Sequence, residues 1–204
     1  MDPSELLVIG DLIGVAVFAA SGASAGVAKR LDMFGVVFVG FVAALGGGIF
    51  RDLVIDTAPL AFTDWRYPVT AAVASLLTFR FHPQLDKLRK SVLLLDAAGL
   101  ALFTVTGTLK GLHAPLPAVG ACLIGMLSAI GGGLGRDLLT AEIPAVLRHE
   151  IYALAALIGA VAVAGLVWLN LDSLPTLVGA AVIVFAIRVV ALRRKWSAPV
   201  PRVG

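Results

Sequence analysis

The residues best suited to chemistry in this sequence are two identical arginine–aspartate pairs, each placed just after three consecutive glycines. Each copy has the pattern Gly-Gly-Gly-x-x-Arg-Asp-Leu; the first copy begins at Gly46 and the second at Gly131. Both lie in long apolar runs, where a charge costs at least about 2.5–3.5 kcal/mol and therefore usually faces a partner or a water-filled cavity. These residues are the first candidates for an ion or substrate pathway. They are Gly46, Gly47, Gly48, Arg51, Asp52, Gly131, Gly132, Gly133, Arg136 and Asp137.

The triple glycines have two possible roles. A glycine in a helix interior costs about 1 kcal/mol relative to alanine, so three in a row predict a kinked or broken helix whose carbonyls turn towards a pore. Alternatively, glycines allow two membrane helices to approach closely. We favour the break, because close packing usually uses spaced rather than consecutive glycines.

Other polar residues in the apolar runs are weaker candidates. Asp11 and Asp96 are separated by the same interval as the two glycine motifs, and the topology derived below predicts ion pairs Asp11–Arg51 and Asp96–Arg136, one at each end of a pathway. A membrane serine or threonine could coordinate a passing cation, although it more often bonds its own helix. Lys110 could be a gating charge, but we favour an interfacial anchor. The hydroxyl candidates are Ser21, Thr106 and Ser128.

Nothing in the sequence predicts an enzyme. His82, His113 and His149 are dispersed and lack the spacing of a metal site. The phosphate-binding, dinucleotide-binding and hydrolase motifs that would indicate catalysis are not found. We therefore expect no cofactor and no resident metal. We also expect no nucleic-acid partner, because the basic residues do not form a patch.

Composition predicts an integral membrane protein. Hydrophobic residues make up 59% of the 204 residues and charged residues only 14%, against about 25% charged in soluble domains. A membrane helix needs about 20 apolar residues, and apolar runs predict an all-α protein with seven transmembrane helices. The second and fifth contain the triple glycines. The predicted spans are 5–28, 31–57, 67–81, 92–112, 116–142, 150–170 and 174–192.

An internal repeat organises these helices. When 11–59 is aligned with 96–144, 17 of 49 positions are identical. We expect one membrane domain with three parts: a three-helix repeat at 5–85, a second at 90–170, and a seventh helix at 173–195. Three is an odd number of spans, so the second repeat should be inverted in the membrane, as in many transporters with midplane binding sites.

The distribution of basic residues predicts orientation. With seven spans, three Lys or Arg fall on the side of the N-terminus and thirteen on the other side. The positive-inside rule then places the N-terminus outside and the C-terminus in the cytoplasm, in the cell inner (plasma) membrane.

The doubled motif, in helices two and five of an inverted three-helix repeat, resembles the prokaryotic trimeric intracellular cation (TRIC) channels. The resemblance implies a homotrimer with a potassium or monovalent-cation pathway in each protomer, framed by these two helices, with membrane lipid as a possible further ligand. A secondary carrier for a small amino acid such as glycine is the alternative. A structural scaffold would leave the buried charges unexplained.

Overall fold

The computed structural model describes residues 3–81, 88–148, 151–194 and 196, and the regular secondary structure within them is entirely helical. Seven long helices and two single-turn helices lie within these ranges. The helices are α1 Pro3–Ala28, α2 Met33–Val54, α3 Leu60–Thr63, α4 Arg66–Phe81, α5 Leu88–His113, α6 Ala118–Leu139, α7 Ala145–Arg148, α8 Ile151–Trp168 and α9 Leu174–Arg194.

Six of these helices are long and apolar enough to cross a membrane: α1 from Val8 onwards, α2, α5, α6, α8 and α9. Helix α4, the third predicted span, has 16 residues, which reach about 24 Å at 1.5 Å per residue. The hydrocarbon core is about 30 Å thick. An all-helical membrane fold is thus confirmed, while the seventh crossing stays a prediction.

The long helices form two bundles of three. Helices α1, α2 and α4 pack against one another, and so do α5, α6 and α8. Contacts of α1 with α5 and of α2 with α6 join the bundles, while α9 packs against α5 and α8. Each bundle therefore contains the helices of one sequence repeat, and the two bundles meet through helices that the repeat aligns, α1 with α5 and α2 with α6. The orientation of the two bundles in the membrane remains a prediction.

Two phenylalanines at equivalent positions meet between the bundles. The rings of Phe18 and Phe103 have centroids 5.3 Å apart, and both side chains are buried. Gly14 makes room for Phe103, and Gly99 makes room for Phe18, since a Cβ at either glycine would lie 2.5 Å from the facing ring. The contacts are thus exchanged between the bundles.

The prediction that α2 and α6 are broken at the triple glycines is wrong, because both helices are continuous through them. The glycines instead allow these helices to cross closely. A Cβ at Gly47 would collide with the carbonyl oxygen of Ser128, and one at Gly132 would collide with that of Ala43. The packing role that we ranked second is therefore the one observed at this crossing.

The energetics explain why the helices stay intact. Three glycines cost a helix about 1 kcal/mol each relative to alanine. Interrupting the helix would leave backbone N–H and C=O groups unsatisfied at membrane depth, at several kcal/mol per group. Helix α2 thus remains continuous, and the missing Cβ atoms bring its backbone against that of α6.

Both crossing helices end in the same way, just beyond the arginine–aspartate pair. Asp56 and Ala141 take left-handed conformations, with φ of 55° and 53°. The next amide in each copy donates a hydrogen bond back over the turn, Thr57 N to Asp52 O and Glu142 N to Asp137 O, each at 2.8 Å. This reversal, typical of a helix C-terminus, brings the following segment back over the carboxylates.

Candidate functional site

The first charge cluster consists of five residues from four helices: Asp11, Arg51, Asp52, Tyr67 and Lys110. Arg51 Nη1 lies 3.8 Å from Asp11 Oδ2, and Arg51 Nε donates to Asp52 Oδ1 at 2.8 Å. The hydroxyl of Tyr67 donates to Asp11 Oδ2 at 3.4 Å. The expected Asp11–Arg51 pair is therefore present.

Asp52 joins three parts of the fold at this cluster. Its Oδ1 accepts from Lys110 Nζ of α5 at 2.8 Å, and its Oδ2 accepts from the backbone N–H of Leu60 at 3.1 Å. Lys110 is a direct ion-pair partner rather than only an anchor of α5 at the membrane surface. Its side chain remains 29% exposed, whereas that of Asp52 is 1% exposed.

The second charge cluster repeats this arrangement with different accessory residues. Arg136 Nη1 donates to Asp96 Oδ1 at 2.7 Å, and Arg136 Nε donates to Asp137 Oδ1 at 2.8 Å. The hydroxyl of Tyr152 donates to Asp96 Oδ1 at 3.2 Å. The expected Asp96–Arg136 pair is therefore also present, and it is shorter than its counterpart. The cluster comprises Asp96, Arg136, Asp137, Tyr152 and Arg188.

Two hydrogen bonds tie the second cluster to neighbouring segments. Arg136 Nη1 also donates to Ser21 Oγ at 2.7 Å, so this predicted pathway residue of α1 supports the arginine of the other bundle. Asp137 Oδ2 accepts from the N–H of Ala145 at 2.8 Å. This bond matches the Leu60–Asp52 bond of the first cluster.

Arg188 is the functional candidate that the sequence did not reveal. Arg188 is one of the thirteen basic residues that the sequence predicts on the cytoplasmic side. In the structure α9 carries it into the core, where it is 1% exposed. Its guanidinium carbon lies 4.7 Å from the ring centroid of Tyr152. The available signal was its position, well before the basic residues that end α9. Arg51 and Arg136 are similarly buried, so these three arginines do not belong in a count of loop charges.

The space beside the two clusters differs. A small cavity of about 20 Å³, enough for roughly one water molecule, is lined by Asp11, Arg51, Asp52, Tyr67 and neighbouring apolar residues, and Gly48 forms part of its wall. A Cβ at Gly48 would only approach Arg51, at 3.8 Å.

The second cluster has no such room at the equivalent glycine. A Cβ at Gly133 would lie 2.5 Å from the hydroxyl of Tyr152 and 2.9 Å from Asp96 Oδ1. A recess of about 490 Å³ lies beside the opposite edge of this cluster, where it is lined by Arg136, Asp137, Lys29 and others.

The remaining predicted pathway residues occupy less uniform surroundings. A Cβ at Gly46 would make only an ordinary contact with Val42 Cγ1, at 3.9 Å, whereas one at Gly131 would lie 2.9 Å from the Cα of Gly47. The hydroxyls of Thr106 and Ser128 are buried, and neither has a hydrogen-bond partner among the described residues. Thr106 lines a separate cavity of about 330 Å³ between α1, α5 and α9. A role of these residues in contacting a passing ion stays a prediction.

The formal charges within each cluster compensate one another. Among the described residues, no three His, Cys, Asp or Glu side chains are grouped as metal ligands. Each cluster holds two carboxylates and two basic groups, so its formal charges cancel. Between the clusters lies a packed apolar region that includes Phe18, Leu100, Phe103 and Ile130.

Fold and clusters together define the class: a helical membrane protein made of two related bundles, each with a buried arginine–carboxylate site. Comparison with known proteins agrees with this description. A family model described as Glycine transporter matches residues 8–83 and again residues 93–168. The starts of the two matches are offset by the same interval as the internal repeat.

Named relatives extend the match over most of the chain. A UPF0126 membrane protein of Deinococcus radiodurans is 43% identical over 192 residues, covering 91% of this chain and 87% of the relative. The UPF0126 inner membrane protein YadS of Escherichia coli K12 is 42% identical over 153 residues, 74% of each chain.

A solved structure gives the same result. The TRIC trimeric intracellular cation channel orthologue from Rhodobacter sphaeroides superposes with a TM-score of 0.89 at 33% identity, covering 94% of this chain and 99% of that one. The chain therefore belongs to the family that the Glycine transporter model describes, and its membership of the prokaryotic TRIC channel family is confirmed.

Proposed function

We propose that this protein is a passive channel for monovalent cations, potassium above all, and that it works as a homotrimer with one pathway in each protomer. The observation that carries the proposal is the structural match to a TRIC cation channel over nearly the full length of both chains. The duplicated buried charge sites support it, because intramembrane charges commonly mark ion pathways.

The pathway would run between the two bundles, from one charge cluster to the other. In the described conformation Phe18 and Phe103 pack together midway, and both are buried. A hydrophobic constriction of this kind gates by excluding water. The conformation thus corresponds to a closed channel, and opening requires these rings to separate.

The charge clusters would shape the electrostatics at the two ends. The ammonium group of Lys110 forms an ion pair with Asp52. Because the lysine side chain is partly exposed, water or a permeant cation is able to replace it at the carboxylate. Together with the pairs Arg51–Asp11 and Arg136–Asp96, this contact is the candidate gating element. The candidate hydroxyls Ser21, Thr106 and Ser128 would serve as transient oxygen ligands once the pathway opens.

In this proposal α4 also crosses the membrane and brings the number of spans to seven. It is a short span, and it begins beside the first cluster. The two bundles then lie inverted in the inner membrane, with the N-terminus outside and the C-terminus in the cytoplasm. Support comes from the two-fold exchange of contacts between bundles and from relatives named as membrane proteins. Reporter fusions at the two ends of the chain test the orientation.

Single-channel recording from the purified protein in planar bilayers tests the function. Discrete current steps, with a reversal potential that follows the potassium gradient rather than the chloride gradient, are the expected result. Crosslinking of the protein in detergent tests the trimer. Silent bilayers containing folded, trimeric protein would overturn the channel proposal.

A carrier for glycine is the second candidate, and it is favoured by the description of the family model. Two clusters with both carboxylates and basic groups could hold the ammonium and carboxylate of a small zwitterion. Uptake of labelled glycine into proteoliposomes distinguishes the two. Saturable glycine uptake without discrete currents would favour the carrier, whereas currents without glycine uptake would favour the channel.

A further inference from the structure

We propose that Arg188 is a fixed counter-charge that keeps the second charge cluster neutral, and that it makes the two ends of the pathway unequal for cations. The inference rests on the proposed channel function. It concerns a residue of α9, the helix outside the repeat, and therefore a feature that the duplicated motif does not encode.

The position of Arg188 is unusual for an arginine. It is 1% exposed, and within the described part of the chain its Nε and Nη2 atoms have no hydrogen-bond acceptor. An arginine side chain stays protonated in proteins, and a buried charge without compensation is expensive. A structural role alone could be filled by an apolar side chain, so the charge itself requires an explanation.

The compensation comes from the second cluster. The guanidinium lies over the ring of Tyr152 at 4.7 Å, an arrangement that attracts a cation to the aromatic face. The hydroxyl of the same tyrosine donates to Asp96, so one tyrosine side chain contacts both the guanidinium of Arg188 and the carboxylate of Asp96. Arg188 thus places its positive charge next to the cluster through Tyr152.

Charge counting shows what Arg188 adds. The groups that the repeat supplies, Asp96, Arg136 and Asp137, carry a net charge of −1, and Arg188 brings the total to zero. The equivalent groups in the first bundle also sum to −1, and Lys110 neutralises them. Each bundle therefore encodes a negative site and obtains its fourth charge from a helix outside that bundle.

The two neutralising residues differ in freedom of movement. Lys110 is a flexible, strongly hydrated ammonium that is 29% exposed, so it is able to leave Asp52 and expose a negative charge. Arg188 is 1% exposed, and its guanidinium lies over the ring of Tyr152 on α8. The first end can therefore attract a cation on demand, while the second end stays neutral.

This difference predicts an asymmetric current. A negative site concentrates cations nearby, so in symmetric potassium chloride the wild-type channel should pass more current in one direction. Arg188→Met removes the charge and keeps an unbranched apolar stem. We expect it to change the ratio of currents at opposite voltages by roughly twofold or more and to raise conductance at low salt.

Two further variants separate charge from packing. Arg188→Lys keeps the charge but loses the planar group that stacks on Tyr152, so it should keep the wild-type current ratio. Asp137→Asn should shift the ratio opposite to Arg188→Met, and the double variant Asp137→Asn/Arg188→Met should return it towards wild type. A purely structural arginine would instead make Lys and Met equally disruptive.

The outcomes are distinguishable. Wild-type protein without cation currents would overturn the channel proposal and this inference with it. Currents that are alike in wild type, Arg188→Met and Arg188→Lys would overturn the inference alone. If Arg188→Met does not fold, the other two single variants decide: the inference requires Lys to preserve the current ratio and Asp137→Asn to change it.

Discussion

The two charge clusters contain the same aspartate, arginine–aspartate and tyrosine groups, but they differ in packing and in their fourth charge. The first has a 3.8 Å arginine–aspartate pair, a small cavity and a partly exposed lysine. The second has a 2.7 Å pair, no room at its glycine and a buried arginine. The two clusters thus share their central groups, and the first is the less tightly packed around its arginine and glycine.

The largest expected effects on stability come from replacing the arginine of each arginine–aspartate pair, Arg136 in the second cluster and Arg51 in the first. Arg136→Met leaves two buried carboxylates, of which Asp96 loses a 2.7 Å partner, so we expect a loss of roughly 3–5 kcal/mol in the free energy of unfolding. Arg51→Met should cost less, because Lys110 still bonds Asp52 directly at 2.8 Å, whereas Arg188 reaches the second cluster through Tyr152, and because the Arg51–Asp11 contact is longer. Unfolding in detergent micelles measures both, and equal losses would contradict the proposed difference.

The next test concerns the helix crossing, where the two halves should behave alike. Gly47→Ala and Gly132→Ala each place a methyl group against a backbone carbonyl of the other helix. Backbone cannot move aside as a side chain can, so each should lose roughly 1–3 kcal/mol or more. Gly46→Ala is the matched control, because its Cβ would meet only Val42 Cγ1 at 3.9 Å, an ordinary van der Waals contact, and it should gain up to about 1 kcal/mol.

Thermal unfolding of the three glycine variants checks this prediction. A destabilised Gly46→Ala together with unaffected Gly47→Ala and Gly132→Ala would mean that the glycines act through backbone flexibility. In that case the break expected from the sequence would describe the protein better than close packing does.

A third test uses glycines at equivalent positions with unequal surroundings. Gly133→Ala forces its methyl group against the hydroxyl of Tyr152 and the carboxylate of Asp96, so we expect a loss of roughly 1–3 kcal/mol. Gly48→Ala fits its cavity and should be neutral or gain up to about 1 kcal/mol. The same unfolding measurement applies, and equal effects would show that the clusters are packed alike.

Much of this architecture could be predicted from sequence because it depends on local composition and on the repeat. The apolar runs located the long helices, and the topology that they predict correctly paired Asp11 with Arg51 and Asp96 with Arg136. A repeated charge in an apolar segment needs a partner, and the repeat restricts the possible partners to a few residues.

The errors came from properties that depend on tertiary contacts. Helix propensity correctly makes Gly46, Gly47 and Gly48 unfavourable, but the contact between α2 and α6 decides that the helix continues. Arg188 resembled one of several basic residues near a helix end, and only the packing of α9 on α8 reveals its burial. Lys110 pairs with the distant carboxylate of Asp52, a contact that the repeat does not specify, because the equivalent position in the first repeat is Ala25.

The smallest expected effect lies at the rim of the second cluster, where Lys29 Nζ contacts Glu142 Oε1 at 2.6 Å. The positions equivalent to these two residues are Ala114 and Thr57, so this ion pair between the two halves has no counterpart at the first cluster. Both side chains are largely exposed, at 40% and 54%, and exposed pairs contribute only about 0–1 kcal/mol. Lys29→Met should therefore lower stability by less than about 1 kcal/mol, and high salt should remove the difference. Thermal unfolding at low and high salt measures it. A loss as large as that of Arg136→Met would show that the rim pair, and not the buried cluster, holds the second end of the protein together.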